Sequence, residues 1–254
     1  MRTATVEPVP DLTALAWVLL AFSAFMVGVS KTALPGANTI SIALFAAVLP
    51  ARASTGALLL LLIVGDLLAL WLYRRHADWG ALLRLAPAVG VGIVLGVLFL
   101  AVADDAWVRR VIAVILLLVI AFTLWRRWRA SADTPTGGRA AAWGYGSLGG
   151  FTTMVANAGG PVMTMYFLAS RFPVQAFLGT AAWFFAIVNL VKVPFSVGLG
   201  IITPATLLLD VVLVPAVLVG GFVGWNLMKR MPQLVFERIV IVLTVAGALY
   251  LLLM

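Results

Sequence analysis

Apolar runs of roughly 20 residues recur along almost the whole chain, from about Leu12 to Met254, and no other feature narrows its fold as much. Each run is long enough to cross about 30 Å of hydrocarbon as a helix. Of the 254 residues, 64% are hydrophobic and 10% charged, whereas soluble domains carry about a quarter charged residues. The bilayer is therefore the solvent for nearly the whole chain, and the fold class expected is an all-α integral membrane protein.

Breaking the hydropathy at proline, glycine and charge gives apolar segments at 12-30, 33-49, 54-73, 81-103 and 107-126, then 141-157, 159-170, 174-197, 204-228 and 234-253. That is about ten transmembrane segments, five per half. The stretch RRWRASADTPTGGR at 126-139 has the charge, proline and paired glycine of an exposed connection. The organisation expected is a tail at 1-11, a first transmembrane repeat at 12-128, a linker at 129-140 and a second transmembrane repeat at 141-254. The tail is short, polar and proline-containing, lacks the basic n-region and cleavage site of a removable signal, and reads as retained.

The halves repeat one another. A shift of 123 residues places Pro50 on Pro173, Ala53 on Ala176, Gly56 on Gly179 and Asp66 on Asn189. At a shift of 128, PAVGVGIVLG (87-96) falls on PAVLVGGFVG (215-224), and Arg110 on Arg238. Shared proline, glycine and arginine positions favour duplication over the cheap similarity of any two apolar helices. Loop charge then sets orientation, because Arg and Lys flanking spans mark the cytoplasmic side. Arg74, Arg75 and Arg84 follow segment 3 and Asp104 and Asp105 follow segment 4, whereas the loop after segment 8 is uncharged and the loop after segment 9 carries Lys229 and Arg230. Five spans per half give that flip, so the repeats are expected to be inverted, with both termini outside and the binding site at their interface near the midplane.

Segments 2 and 7 are short and interrupted, by Leu34-Pro35-Gly36 and by Asn157-Ala158-Gly159-Gly160-Pro161. Corresponding breaks early in each half point to broken or re-entrant helices whose free N–H groups line a transport site. Around the first break, Lys31 offers an ammonium and Ser30 and Thr32 hydroxyls. Around the second, Thr152, Thr153 and Asn157 stand beside glycines that expose backbone, a loop able to cradle an oxyanion. Lys192 sits in AWFFAIVNLVKVPF, where a charge costs at least about 2.5 kcal/mol, and Asn189 shares its helix face at i and i+3. Asp66, in LLLLLIVGDLLALWL, is the acid with the least polar neighbours, a candidate proton carrier or else a fixed partner for Lys31 or Lys192. Asp210 lies nearer a segment start and reads as interfacial. The Gly92/Gly96 and Gly220/Gly224 spacings read as close helix packing, and Trp71, Trp79, Trp107, Trp125 and Trp128 as interface anchors.

Other function classes are poorly supported. The net charge is +8, but the basic residues sit in short clusters between apolar runs, which fits the positive-inside rule better than nucleic-acid binding. There is no cysteine and one histidine, His76, in an Arg-flanked loop, so neither a Cys/His metal site nor a cofactor is implied. No acid, base and nucleophile cluster suggests an enzyme.

With these residues in view, the chain resembles the TauE/SafE family of sulfite-exporter-like membrane proteins, also called TSUP, over about Ala14 to Leu252. The carriers of the resemblance are GVSKTALPGAN (28-38), NAGGPV (157-162), P-x-x-A-x-x-G-T (173-180) and NLVKVP (189-194). It implies export or uptake of sulfite, organosulfonates or related organic acids across bacterial inner membranes; the residues above point to a multi-pass secondary carrier working by alternating access, with Asp66 the candidate for proton coupling. The substrate-binding set expected from the breaks, the buried polar residues and these motifs is Lys31, Ser30, Asn38, Thr152, Thr153, Asn157, Gly159, Gly160, Asn189, Lys192 and Thr180. The partners are then a small anion and the lipid bilayer, and a homodimer is allowed. A passive anion channel is the alternative, followed by a non-transport assembly subunit. The first break is poorer in glycine than is usual for the family.

Overall fold

A computed structural model describes residues 12–33, 38–128, 139–170 and 172–227. Among them are nine α-helices: α1 (Ala14–Thr32), α2 (Asn38–Val48), α3 (Ala51–Tyr73), α4 (Trp79–Val102), α5 (Asp105–Trp128), α6 (Arg139–Ala156), α7 (Gly159–Ala169), α8 (Val174–Gly198) and α9 (Pro204–Leu227). Five of these, α1, α3, α4, α8 and α9, are long and apolar enough to cross a membrane. Nine of the ten expected segments thus coincide with helices, while the tenth, the first break at 34–37 and most of the linker lie outside the described residues. The chain is a multi-pass helical membrane protein. Its exposed faces carry Leu83, Leu98, Leu118, Val211 and Phe222 where a soluble protein would place charge.

Ten full crossings are not what the helix lengths give. With 11 residues each, α2 and α7 rise about 16 Å, roughly half the hydrocarbon thickness. Both are the short second helix of their half, as the interrupted segments suggested.

Local sequence explains where the helices begin. Thr13 accepts from the amide of Ala16 and Asp78 from that of Ala81, the usual satisfaction of free N–H groups at a helix start. Pro50 and Pro173 immediately precede α3 and α8. The start of α3 is held in addition from α5, since the carboxylate of Asp105 accepts from the amides of Ala51 and Arg52 at 2.8 and 3.0 Å.

Glycine fixes how the long helices pair. The backbones of α1 and α9 touch: a side chain at Gly28 would strike the carbonyl of Val217, one at Gly220 the backbone of Phe25, and one at Gly224 the backbone of Val29. Residue numbers rise together along this contact, so α1 and α9 run parallel. The same holds for α4 and α6, where Gly92 abuts Ser147, Gly150 abuts Val89 and Gly96 abuts Met154. The packing role read from both G-x-x-x-G spacings is seen in these contacts. By contrast α3 and α8 run antiparallel: Gly56 meets Ile201 just past the end of α8, and Gly179 meets the turn from Tyr73 to Ala77 just past the end of α3.

Candidate functional site

Where α3 and α8 cross at mid-length, the two halves exchange polar groups. Asp66, on α3, is the focus. Its Oδ1 accepts from Lys31 Nζ of α1 at 2.5 Å and its Oδ2 from Asn189 Nδ2 of α8 at 2.6 Å. Lys31 therefore does not snorkel to a headgroup. Its side chain is 11% exposed, and its ammonium stands 4.6 Å above the centroid of the Phe185 ring, a further favourable contact for a cation.

Lys192 lies one turn beyond Asn189 on the same face of α8 and is 1% exposed. Its ammonium donates to Asn157 Oδ1 at 2.6 Å, Asn189 Oδ1 at 3.2 Å and Thr153 Oγ1 at 3.3 Å. Three donor hydrogens meet three neutral oxygens, so this cation is solvated by dipoles and has no carboxylate in contact among the described residues. Two ammonium groups share one carboxylate here, and the cluster keeps a formal excess of one positive charge. In a low-dielectric interior that excess is a strong attraction for an anion.

The break between α6 and α7 is built around Asn157, which adopts φ 53°, a left-handed conformation that asparagine tolerates better than most residues. That geometry lets every polar group of the residue find a partner. Its amide donates to the Thr153 carbonyl, its Nδ2 to the Thr55 carbonyl, and its own carbonyl accepts from Asn38 Nδ2 at 3.2 Å. Asn38 is the first residue of α2. The N-terminal ends of both short helices thus meet at one place, each turning the positive end of its dipole toward it.

An open cavity of about 580 Å³, part of it continuous with the exterior, lies against this cluster and is lined by Ser30, Lys31, Asn38, Asp66, Thr153, Asn157, Gly160 and Asn189 among others. These eight residues came from the sequence. Lys192 stands one layer behind the wall, reaching it through Thr153, Asn157 and Asn189. Three sequence-derived residues are placed elsewhere. The Thr152 hydroxyl bonds back to the Leu148 carbonyl within α6. Gly159 packs against Thr153 and the Gly149 carbonyl. Thr180 is fully buried and accepts from the amide of Asp78, tying α8 to the start of α4. Among the described residues no cluster of acids and histidines suited to a metal occurs.

Sequence reasoning did not single out Tyr73 and Phe185, which also line the cavity. The Tyr73 hydroxyl donates to the Thr32 carbonyl at 2.8 Å and so closes the open C-terminal end of α1. Asp210, expected at the interface, is buried.

The chain matches the sequence model described as sulfite exporter TauE/SafE over residues 20–251. It belongs to the TauE/SafE family. Neither the curated proteins nor the solved structures give a match. This TauE/SafE protein is accordingly a member of a transporter family rather than an enzyme family, a multi-pass membrane protein whose family description concerns a small sulfur anion.

Proposed function

We propose that this TauE/SafE protein is a bacterial inner-membrane secondary carrier of small sulfur oxyanions, sulfite or a compact organosulfonate first among them, with related organic acids as weaker substrates. The observation that carries the reading is Lys192: a buried ammonium held only by neutral oxygens, behind a cavity into which Lys31 and two helix N-terminal ends also converge. A trigonal-pyramidal or tetrahedral oxyanion offers the several acceptors that such a donor set requires.

Asp66 is the coupling group in this reading. Because Lys31 occupies its Oδ1, a proton arriving there would displace the ammonium and free it for the anion. Alternating access is supported by the partner exchange between halves, in which α1 lies along α9 as α6 lies along α4, and Gly56 and Gly179 each receive the turn that ends the other half's long helix. The cavity draws its α3 lining from Leu62 onward and its α8 lining from Asn189 backward. It therefore extends toward the end that bears Arg74, Arg75 and Arg84, the cytoplasmic end by loop charge, which suits loading or release on that side.

The test is a thermal-shift screen of purified protein with sulfite, sulfate, thiosulfate, sulfoacetate, taurine and simple carboxylates, repeated on Lys192→Ala. Stabilisation by sulfite or a sulfonate that disappears in the variant is expected; no stabilisation by any of these anions, or an equal response of the variant, would sink the site. Proteoliposome flux separates carrier from channel, because channel-rate electrogenic flux indifferent to a pH gradient and to Asp66→Asn contradicts a coupled carrier.

A further inference from the structure

Asp210 is the one ionisable residue of α9, and the coupling scheme above does not use it. It is 5% exposed, and neither carboxyl oxygen has a hydrogen-bond partner among the described residues. Among the described residues, the helices packed most closely on α9 are α1 and α3. Their charged and titratable groups are Lys31, Arg52, Asp66 and Tyr73, and all are engaged elsewhere. Lys31 and Asp66 hold each other, Tyr73 donates to the Thr32 carbonyl, and Arg52 donates to the carbonyls of Leu100 and Ala103 at 2.8 and 2.7 Å. Among the described residues of these helices no cation is left to offset a charge on Asp210, and an unpaired carboxylate inside a membrane protein carries a large desolvation cost.

Its position gives that cost a use. Asp210 lies less than two turns inside α9 from Pro204, on the same buried face as Thr206 one turn earlier. This is the end of the molecule away from the cavity, and the described helices are tied together there. Gly56 abuts Ile201, the Thr55 carbonyl accepts from Asn157, and Arg52 reaches from α3 to the carbonyls at the end of α4. Water that entered on this side would hydrate Asp210, and closure removes it.

We propose that Asp210 is a proton-binding site that governs closure of this end: the end shuts only after the carboxylate has taken a proton from the water on that side, and on reopening the proton returns to water. In this scheme the carboxyl is protonated while the end is closed, whereas Asp66 keeps its ion pair with Lys31. The role in transport rests on the carrier reading above; the proton site itself does not.

Infrared difference spectra of the full chain in lipid nanodiscs test the site directly. At neutral pH the C=O band of a protonated carboxyl group is expected in the wild type and in Asp66→Asn, and is lost in Asp210→Asn. A wild type without that band, or a band that Asp210→Asn leaves intact, overturns the proposal. Closure is tested separately. The chain has no cysteine, so Thr55→Cys reports opening of this end to a membrane-impermeant maleimide. Labelling is expected to rise several-fold more steeply with pH on the Asp210 background than on Asp210→Asn, whose residual slope reflects the thiol's own ionisation. Asp210→Glu should restore the steep rise, which a folding defect would not. Equal slopes overturn the closure role. Absence of anion flux with band and labelling as described would count against the carrier reading alone.

Discussion

Asp66 and Asn189, which the 123-residue shift of the sequence superposes, hydrogen-bond each other, Asn189 Nδ2 to Asp66 Oδ2 at 2.6 Å. An acid and its isosteric amide at related positions make one carboxylate serve two ammonium groups: Lys31 directly, and Lys192 through Asn189 Oδ1. Asp66→Asn removes the only carboxylate in the cluster and strands Lys31, which should cost about 3–5 kcal/mol if the pair is otherwise intact. Asp66→Asn combined with Asn189→Asp moves the carboxylate across to face Lys192, and much of the loss should return. Thermal unfolding of the two single variants and the double variant reads this; a double variant no better than additive would mean that the two positions are not interchangeable.

Anion affinity should depend on both cations unequally. Lys31 lines the cavity and meets the ligand, whereas Lys192 acts from behind Thr153, Asn157 and Asn189. Removing one charge-assisted hydrogen bond costs about 1.5–3 kcal/mol, so Lys31→Ala should weaken binding roughly 10- to 100-fold. Lys192→Met should weaken it too, and should also lower thermal stability by stranding the oxygens of Asn157 and Asn189. Titration of sulfite by calorimetry, with unfolding curves of the same preparations, separates the effects.

Close helix contacts make a further prediction independent of transport. Gly28 sits on the backbone of α9, so Gly28→Leu must force α1 and α9 apart, and overpacking of this kind costs about 1–3 kcal/mol or more. Gly90 of α4 has open space around it. Gly90→Ala should be neutral or stabilise by up to about 1 kcal/mol, since alanine is the better helix former. Loss of stability at Gly90 equal to that at Gly28 would argue against the α1 and α9 contact.

Much of the site was legible because charge is costly in hydrocarbon. Lys31, Asp66 and Lys192 stood out in apolar runs for that reason, and the structure joins them into one cluster. Asn157 was legible from its glycine-rich break. Tyr73 and Phe185 were not, because an aromatic at a helix end or in an apolar helix looks the same whether it faces lipid, core or cavity. Asp210 was misplaced for a related reason. Distance from a segment end says how deep a residue lies, and only tertiary packing says which face it turns. Among the described residues most helix boundaries were readable to within a few positions, yet the half-length of α2 and α7 was visible in sequence only as an interruption.

Two threonines of the second half, Thr153 and Thr180, separate a cavity role from a packing role. Thr153 lines the cavity and accepts from Lys192 at 3.3 Å, while Thr180 accepts from the amide of Asp78 at 2.8 Å. Valine matches threonine in shape but has no hydroxyl. Thr180→Val therefore leaves the Asp78 amide without its acceptor, which should lower stability by about 1–3 kcal/mol and leave anion affinity within a factor of two or so. Thr153→Val removes one of three oxygens that hold Lys192, and should change anion affinity roughly tenfold. Because Lys192 keeps Asn157 and Asn189, its loss of stability should be the smaller of the two. Paired binding and unfolding measurements decide it: a Thr180 variant that loses anion binding while keeping its stability would place Thr180 in the transport path after all.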